Sequence, residues 1–219
     1  MRKVLIGTTN PSKIRRFRAL LSEYDVEFCT PEDLNITSEP EECGKTPEEN
    51  AVLKARHYGQ YFDSVICNDS GLYFDKLTLE DSRQPGLNIR THGGIPRMND
   101  EEMIEYYSKL IRSLGGKVLA YYLDGIAVWR GHKIYSFMED NPADRPNSFY
   151  MIDRPSPKRL PGWPLDSLSL YRDSLTYFVD DEDDNYDAAD EEIMSDEYKR
   201  RLIHFLASSL GLQKTKTSL

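Results

Sequence analysis

Along the first 70 residues, short unbroken apolar runs take turns with apolar residues spaced three and four apart. Val4-Leu5-Ile6 is such a run, closed by Gly7-Thr8-Thr9-Asn10-Pro11. This reads as a buried strand feeding a helix, with Pro11 at the first helical position and Thr9 or Asn10 as the cap. Ile14, Phe17 and Leu21 then recur at helical spacing, and Val26 to Cys29 alternates like a strand. Thr46-Pro47-Glu48-Glu49 predicts a second helix start, with Thr46 as cap, Pro47 behind it and Glu49 completing a capping box. Ala51, Ala55 and Tyr58 share one stripe of that helix, and Asn50, Lys54 and His57 share another. Val65-Ile66-Cys67 reads as a strand buried on both faces that ends in Asn68-Asp69-Ser70-Gly71.

Further on, Met103 to Leu114 predicts a helix stopped by Gly115-Gly116. Val118 to Val128 and Lys133 to Met138 predict two strands joined at Arg130-Gly131, with Asp124-Gly125 as a turn or a bulge in the first. Asn141 to Pro164 is proline-rich and reads as loop, and Tyr198 to Leu210 as a terminal helix with Leu202, Phe205 and Leu206 inward. The strand–helix alternation argues an α/β fold.

Composition narrows the function classes. The chain has 219 residues, room for one large domain or one domain in two lobes, with 39% hydrophobic and 30% charged residues, a globular balance. No apolar run approaches the roughly 18 residues that span a bilayer, so no membrane partner is expected. The basic start Met1-Arg2-Lys3 leads into a run too brief for a signal peptide, so a cytoplasmic location is the default expectation. A net charge of −9 argues against nucleic acid as partner, whereas a small phosphorylated ligand needs only a local positive site. The three cysteines, Cys29, Cys43 and Cys67, fit no metal motif, and Cys29 and Cys67 read as small buried residues on strands. The four histidines show no ligand spacing.

Three constellations are able to carry chemistry. Thr8-Thr9-Asn10-Pro11-Ser12-Lys13 places hydroxyl and amide groups, a lysine and the positive end of a helix at one turn. This is either an anion site or an ordinary cap with a solvated lysine. Asn50 and Lys54 share a helix face, downstream of the acidic Glu41-Glu42-Cys43-Gly44; a phosphate contact and a surface ion pair are both compatible with that spacing. Asn68-Asp69-Ser70-Gly71 closes a buried strand, the end at which α/β folds place ligands. There Asp69 is a candidate for Mg²⁺ or for a proton from water, and a plain Asp-Ser-Gly turn is the alternative.

In this order and spacing, Ile6-Gly7-Thr8-Thr9-Asn10-Pro11-Ser12-Lys13, then Glu42-Cys43-Gly44 through Asn50-Ala51 to Lys54-Ala55, then Asn68-Asp69-Ser70-Gly71-Leu72, then Pro85-Gly86 and Gly93-Gly94 resemble the motifs of the inosine triphosphate pyrophosphatase family. The chain is similar to a divergent member. The resemblance implies that residues 1–219 form one such domain: a two-lobed α/β fold with a central mixed, twisted sheet flanked by helices and a cleft between the lobes. It also implies Mg²⁺-dependent (or Mn²⁺-dependent) hydrolysis of non-standard purine nucleoside triphosphates such as ITP, dITP and XTP to monophosphate and pyrophosphate, and a homodimer. Carried over by motif, Thr8, Thr9, Asn10, Lys13 and Lys54 hold phosphates, with Asn50, Ser70 and Gly71 beside them. Glu42 and Asp69 bind the metal, and Asp69 is the catalytic base.

The chain departs from the family pattern at several points. Asn68 stands in place of the first Asp of the family's pair and Arg16 in place of a Glu. Losing a carboxylate predicts weaker Mg²⁺ binding or lost turnover, so a catalytically impaired nucleotide-binding protein is the alternative expectation. Pro161-Gly162-Trp163-Pro164 replaces the purine-reading sequence, leaving Trp163 to stack on the base. Ser195-Asp196-Glu197 replaces Ser-His-Arg, and the acidic Asp180 to Glu192 segment reads as a solvated loop or a docking segment for a basic partner.

Overall fold

The computed structural model describes residues 1–138, 148–180 and 196–215, apart from the side chain of Ser12. In chain order the elements are β1 (Arg2–Ile6), α1 (Pro11–Leu20), β2 (Val26–Cys29), α2 (Pro47–Tyr58), β3 (Ser64–Phe74), α3 (Asp100–Ser113), β4 (Lys117–Arg130), β5 (Lys133–Phe137), β6 (Ser148–Ile152), β7 (Ser169–Leu170) and α4 (Asp196–Leu210). The strands follow the order β2-β1-β3-β4-β6-β7, with β5 also on β4. β1 pairs in parallel with β2 and β3, while β5 and β6 run antiparallel to β4, so the sheet is mixed. The chain divides into two compact units.

The first unit comprises Met1–Ser70, Asp124–Asp144 and Tyr186–Leu219. Successive strand residues point to opposite faces, and the packing follows that alternation. Val4, Ile6, Ile66, Ile126 and Val128 pack with Phe17, Leu20 and Leu21 of the α1 segment and with Tyr198, Leu202, Leu206 and Leu210 of α4. Their neighbours Leu5, Val65, Cys67 and Ala127 pack instead with Ala51, Ala55 and Tyr58 of α2. Helices therefore cover both faces, which is why these strands read as unbroken apolar runs. Each buried Val, Leu, Ile or Phe side chain among them contributes about 1.5–3 kcal/mol by leaving water.

α2 begins as its sequence predicts, with Pro47 in the first turn and the Glu49 N–H donating to Thr46 Oγ1 at 3.1 Å. The capping box differs in one partner: the Glu49 carboxylate accepts from the Lys45 N–H, at 2.7 Å. Asp124-Gly125 is neither turn nor bulge but lies inside the continuous strand β4. A Cβ on Gly125 would come within 2.1 Å of the backbone of Pro47 and Glu48, so this glycine lets the start of α2 rest on β4.

The second unit comprises Gly71–Leu123 and Arg145–Asn185. Its core joins Met103, Tyr107 and Ile111 of α3 to Leu72, Phe74, Val118, Ala120, Phe149 and Met151 of the strands and to Leu165 and Leu168. α3 starts three residues before the apolar pattern does, because Asn99 and Glu102 form a complete capping box there. Two further expectations need correction. β3 does not stop at Asn68 but runs on to Phe74, its later part supported by the paired Leu72 and Gly86. The stretch read as loop from Asn141 to Pro164 contains β6, which is held between β4 and β7.

Candidate functional site

The turn from β1 into α1 is built by its own polar side chains. The Gly7 N–H donates to Ile66 O at 2.8 Å, fixing the end of β1 against β3. Asn10 is the cap: its Oδ1 accepts from the Lys13 N–H at 3.4 Å, and its own N–H donates to Thr8 Oγ1 at 3.2 Å. No acidic residue lies in the first turn of α1, so the positive end of the helix is not offset locally.

Lys13 adds a full charge there. Among the described residues no hydrogen bond or ion pair reaches its ammonium. Burial first, and then the positive charge of Lys54, hold its pKa below the ordinary lysine value, while Asp124 and Asp69 pull the other way. Arg16, one turn on, donates to Asp124 Oδ2 at 2.7 Å, with both side chains largely buried. Asp124 was not among the candidates the sequence offered. Its partner is 108 positions away; the only local signal is an acid in the middle of an otherwise apolar strand.

α2 supplies the other half. Lys54 Nζ lies 2.8 Å from Asp69 Oδ1 and 3.0 Å from Glu42 Oε1, so one ammonium holds both carboxylates assigned to a metal by resemblance. Burial lowers the Lys54 pKa, but the attraction of Asp69 and the bonds to Asp69 and Glu42 outweigh it, leaving it above the ordinary value. Asn50 is 3% exposed and engaged at both ends of its amide. It donates to Asp69 Oδ2 at 2.9 Å and accepts from the Gly44 N–H at 2.8 Å. Its shared stripe with Lys54 brings both to the same carboxylate.

Asn68 and Asp69 are adjacent on β3 and so point to opposite faces. Asp69 follows Cys67 towards α2, and Asn68 follows Ile66 towards the face covered by α1. Asn68 is 2% exposed, and among the described residues neither its Nδ2 nor its Oδ1 has a hydrogen-bond partner. A buried amide with both ends unmet costs about 1–3 kcal/mol per unmet group.

Of the predicted site residues, Thr8, Thr9, Asn10, Lys13, Glu42, Asn50, Lys54, Asp69 and Ser70 belong to the first unit, while Gly71 and Trp163 belong to the second. Gly71 is buried where a Cβ would sit 2.8 Å from the Tyr73 ring and 3.1 Å from Gly86 O, so it serves close strand packing. Trp163 is 42% exposed, on a turn held by the Gly162 N–H donating to Asp100 Oδ2 at 2.7 Å, with Arg90 paired to Asp100 at 2.9 Å. Cys67 is buried, and burial pushes its thiol up to about 12, which makes it an inert packing group. Cys29 is half-buried on β2 and Cys43 is exposed. Residues 181–192 and Ser195 lie outside the described residues. Among the described residues no group of three or more His, Cys, Asp or Glu side chains gathers to hold a metal, and no helix is long and apolar enough to cross a membrane. A hollow of about 730 Å³ lies along α4 between Phe137, Arg200, His204 and Phe205 and includes none of these site residues.

The family model described as Ham1 family matches residues 4–139. The chain belongs to the Ham1 family. Among curated relatives of this Ham1 chain, a dITP/XTP pyrophosphatase of Leptospira interrogans is 35% identical over 102 residues, 46% of this chain and 49% of the relative. One of Oceanobacillus iheyensis is 38% identical over 107 residues, 48% of this chain and 52% of the relative. The chain thus spans about half the length of the curated relatives it matches. Among solved structures, a HAM1 protein from Coxiella burnetii superposes with a TM-score of 0.70 at 19% identity, covering 95% of this chain and 100% of that one. The Staphylococcus aureus Ham1 protein gives 0.60 at 23%, covering 94% and 99%. At these identities the structures establish the shared mixed α/β fold alone.

Proposed function

We propose that this Ham1 chain hydrolyses nucleoside triphosphates to nucleoside monophosphate and pyrophosphate with a divalent metal, Mg²⁺ or Mn²⁺, on non-standard purines such as dITP, XTP and ITP. The observation that carries the reading is the meeting of Glu42 and Asp69 on Lys54 in the same unit as an ammonium, Lys13, that has no hydrogen-bond or ion-pair partner among the described residues. The names of the relatives support the substrate class.

The chemistry follows from the groups present. Cleavage between the α- and β-phosphates needs a water at the α-phosphorus, charge neutralisation on the chain of phosphates, and an acceptor for the water's proton. Lys13, the N–H groups at the start of α1 and Lys54 supply positive charge for the phosphates. Asp69 accepts the proton, and Asn50 acts as a positioning residue that fixes Asp69 Oδ2 and, through Gly44, the loop carrying Glu42. Mg²⁺ is commonly held by one or two carboxylates, with phosphate and water completing its shell; two carboxylates that already share one cation fit that donor set. Glu42 and Asp69 would hold the ion, which neutralises phosphate charge when bound. Trp163, exposed on its anchored turn, offers a ring for a purine. A cytoplasmic homodimer belongs to the same reading and is checked by sedimentation.

A second reading, a nucleotide binder without turnover, is favoured by one observation, the unmet amide of Asn68 where the family pattern has a carboxylate. One assay separates the two: pyrophosphate release from dITP, XTP, ITP and the standard triphosphates with Mg²⁺ or Mn²⁺, for the wild type and Asn68→Asp. Release by the wild type supports the enzyme. Silence from the wild type with activity in Asn68→Asp, alone or combined with Asp124→Asn, supports the binder, and silence from all of them defeats hydrolysis.

A further inference from the structure

We propose that Lys54 is an exchangeable counter-ion: in the ligand-free protein its ammonium occupies the Glu42–Asp69 pair, and a divalent ion gains that pair only when a polyphosphate draws the ammonium away. The inference rests on the reading of this site as one for polyphosphate and metal, and it concerns the order in which the two enter.

The pair is already saturated by protein. One ammonium sits within 3.0 Å of both carboxylates. Among the described residues no third acid joins them. A divalent ion added beside the lysine would set three positive charges against two negative ones, and at the Lys54–Asp69 side, 12% and 13% exposed, the repulsion is weakly screened. The lysine has somewhere else to go. Its four-carbon stem is flexible and its ammonium pairs with phosphate as a point charge from many directions. Lys13, which has no hydrogen-bond or ion-pair partner among the described residues, is the first anchor for that phosphate.

The two oxygens of Asp69 are not equivalent in this exchange. Oδ2 is fixed by Asn50 at 2.9 Å, whereas among the described residues Oδ1 is held by the Lys54 ammonium alone, at 2.8 Å. Withdrawal of the ammonium frees Oδ1 while the carboxylate stays in place. Glu42 is 49% exposed, which leaves a solvent route to the pair. The consequence is reciprocal coupling: polyphosphate tightens metal binding, and metal tightens polyphosphate binding by the same factor. Metal alone binds poorly.

The experiment measures Mn²⁺ binding by the loss of the free-ion electron paramagnetic resonance signal, with no nucleotide present. It compares the wild type with Lys54→Met and with Lys13→Met, which removes a nearby charge that holds no carboxylate. Lys54→Met is expected to bind Mn²⁺ about tenfold more tightly than the wild type, as ligand charge becomes available, and Lys13→Met to change the affinity by less than about threefold. Lys54→Gln, which keeps a hydrogen-bond donor for Asp69, is expected to tighten binding as well and serves if Lys54→Met does not fold. Equal affinities for the Lys54 and Lys13 variants, or a wild type that binds Mn²⁺ as tightly as Lys54→Met, overturn the exchange. Turnover is assayed separately on the wild type. Turnover without the tightening removes the exchange alone, and tightening without turnover removes the pyrophosphatase reading alone.

Discussion

Truncating Asn50 to alanine is the sharpest test of how the site is held. The residue is 3% exposed and its amide makes two bonds inside the protein, one to the Asp69 carboxylate and one from the Gly44 N–H. A hydrogen bond to a charged group contributes about 1.5–3 kcal/mol and a neutral one about 0.5–1.5 kcal/mol. The Gly44 N–H lies on a loop that water reaches once the side chain is gone, so the lower end applies to it. Asp69 keeps Lys54, so its loss is also partial. Together these give a destabilisation of about 2–3 kcal/mol. Urea unfolding of Asn50→Ala and wild type, followed by far-ultraviolet circular dichroism, measures it, provided the slope with denaturant is unchanged. Asn50→Asp adds a sign test. It restores an acceptor for Gly44 but sets a second carboxylate against Asp69, so its deficit should shrink as the pH falls and one of the two takes a proton. A loss below about 0.5 kcal/mol in Asn50→Ala, typical of surface changes, would refute the positioning role. So would a deficit in Asn50→Asp that is flat from neutral pH to pH 4.

Three other variants probe the surrounding frame. Gly125→Ala places a methyl group 2.1 Å from the Pro47–Glu48 backbone, and thermal melting should show a loss of about 3 kcal/mol or more, the scale of forced core overpacking. Asp124→Asn leaves the buried Arg16 guanidinium facing a neutral group; chemical denaturation should show about 3 kcal/mol lost, and Arg16→Met together with Asp124→Asn should recover part of it. Lys13→Met removes an ammonium whose pKa the fold holds down through burial and Lys54. A lysine with a depressed folded pKa makes the fold less stable while it is charged, and the penalty fades as the pH rises through that folded value towards the ordinary one. Melting at neutral pH should therefore show Lys13→Met stabilised by about 0.5–2 kcal/mol, with the gain vanishing at alkaline pH and phosphate binding lost.

The sequence disclosed most where burial is two-sided or capping is local. Val4-Leu5-Ile6 and Val65-Ile66-Cys67 carry strands sandwiched between helices, and a run of apolar residues suffices to announce them. Thr46 and Pro47 announced α2. β3 is longer than its sequence signals because Asn68-Asp69-Ser70-Gly71 has the composition of a turn, while its backbone stays extended through pairing that no local pattern reports. β6 was missed for the opposite reason: Phe149 and Met151 sit among prolines and polar residues, and β4 and β7 give the segment its conformation. At the site, motif order sufficed to bring Glu42, Lys54 and Asp69 together. The Arg16–Asp124 pair was illegible, because an ion pair across 108 positions leaves no trace in spacing.

Asn68 gains a physical reason from that pair. The first unit gathers Lys13, Arg16 and Lys54 with Glu42, Asp69 and Asp124, three positive groups and three negative ones linked by contact or by mutual charge effects. A carboxylate at position 68 would add a fourth acid on the face that α1 covers, the face of Ile66 and Ile126, with Asp124 two residues before Ile126 on β4. Asp124 already meets the guanidinium on that face, and an acid at position 68 would be buried there, so it takes up a proton rather than ionise. Asp124→Asn would release the Arg16 guanidinium from Asp124 on that face. Asn68→Asp alone then restores a protonated acid rather than a metal ligand, and its effect on pyrophosphate release should appear only when Asp124→Asn accompanies it; full activation by the single change would show that the two positions do not communicate.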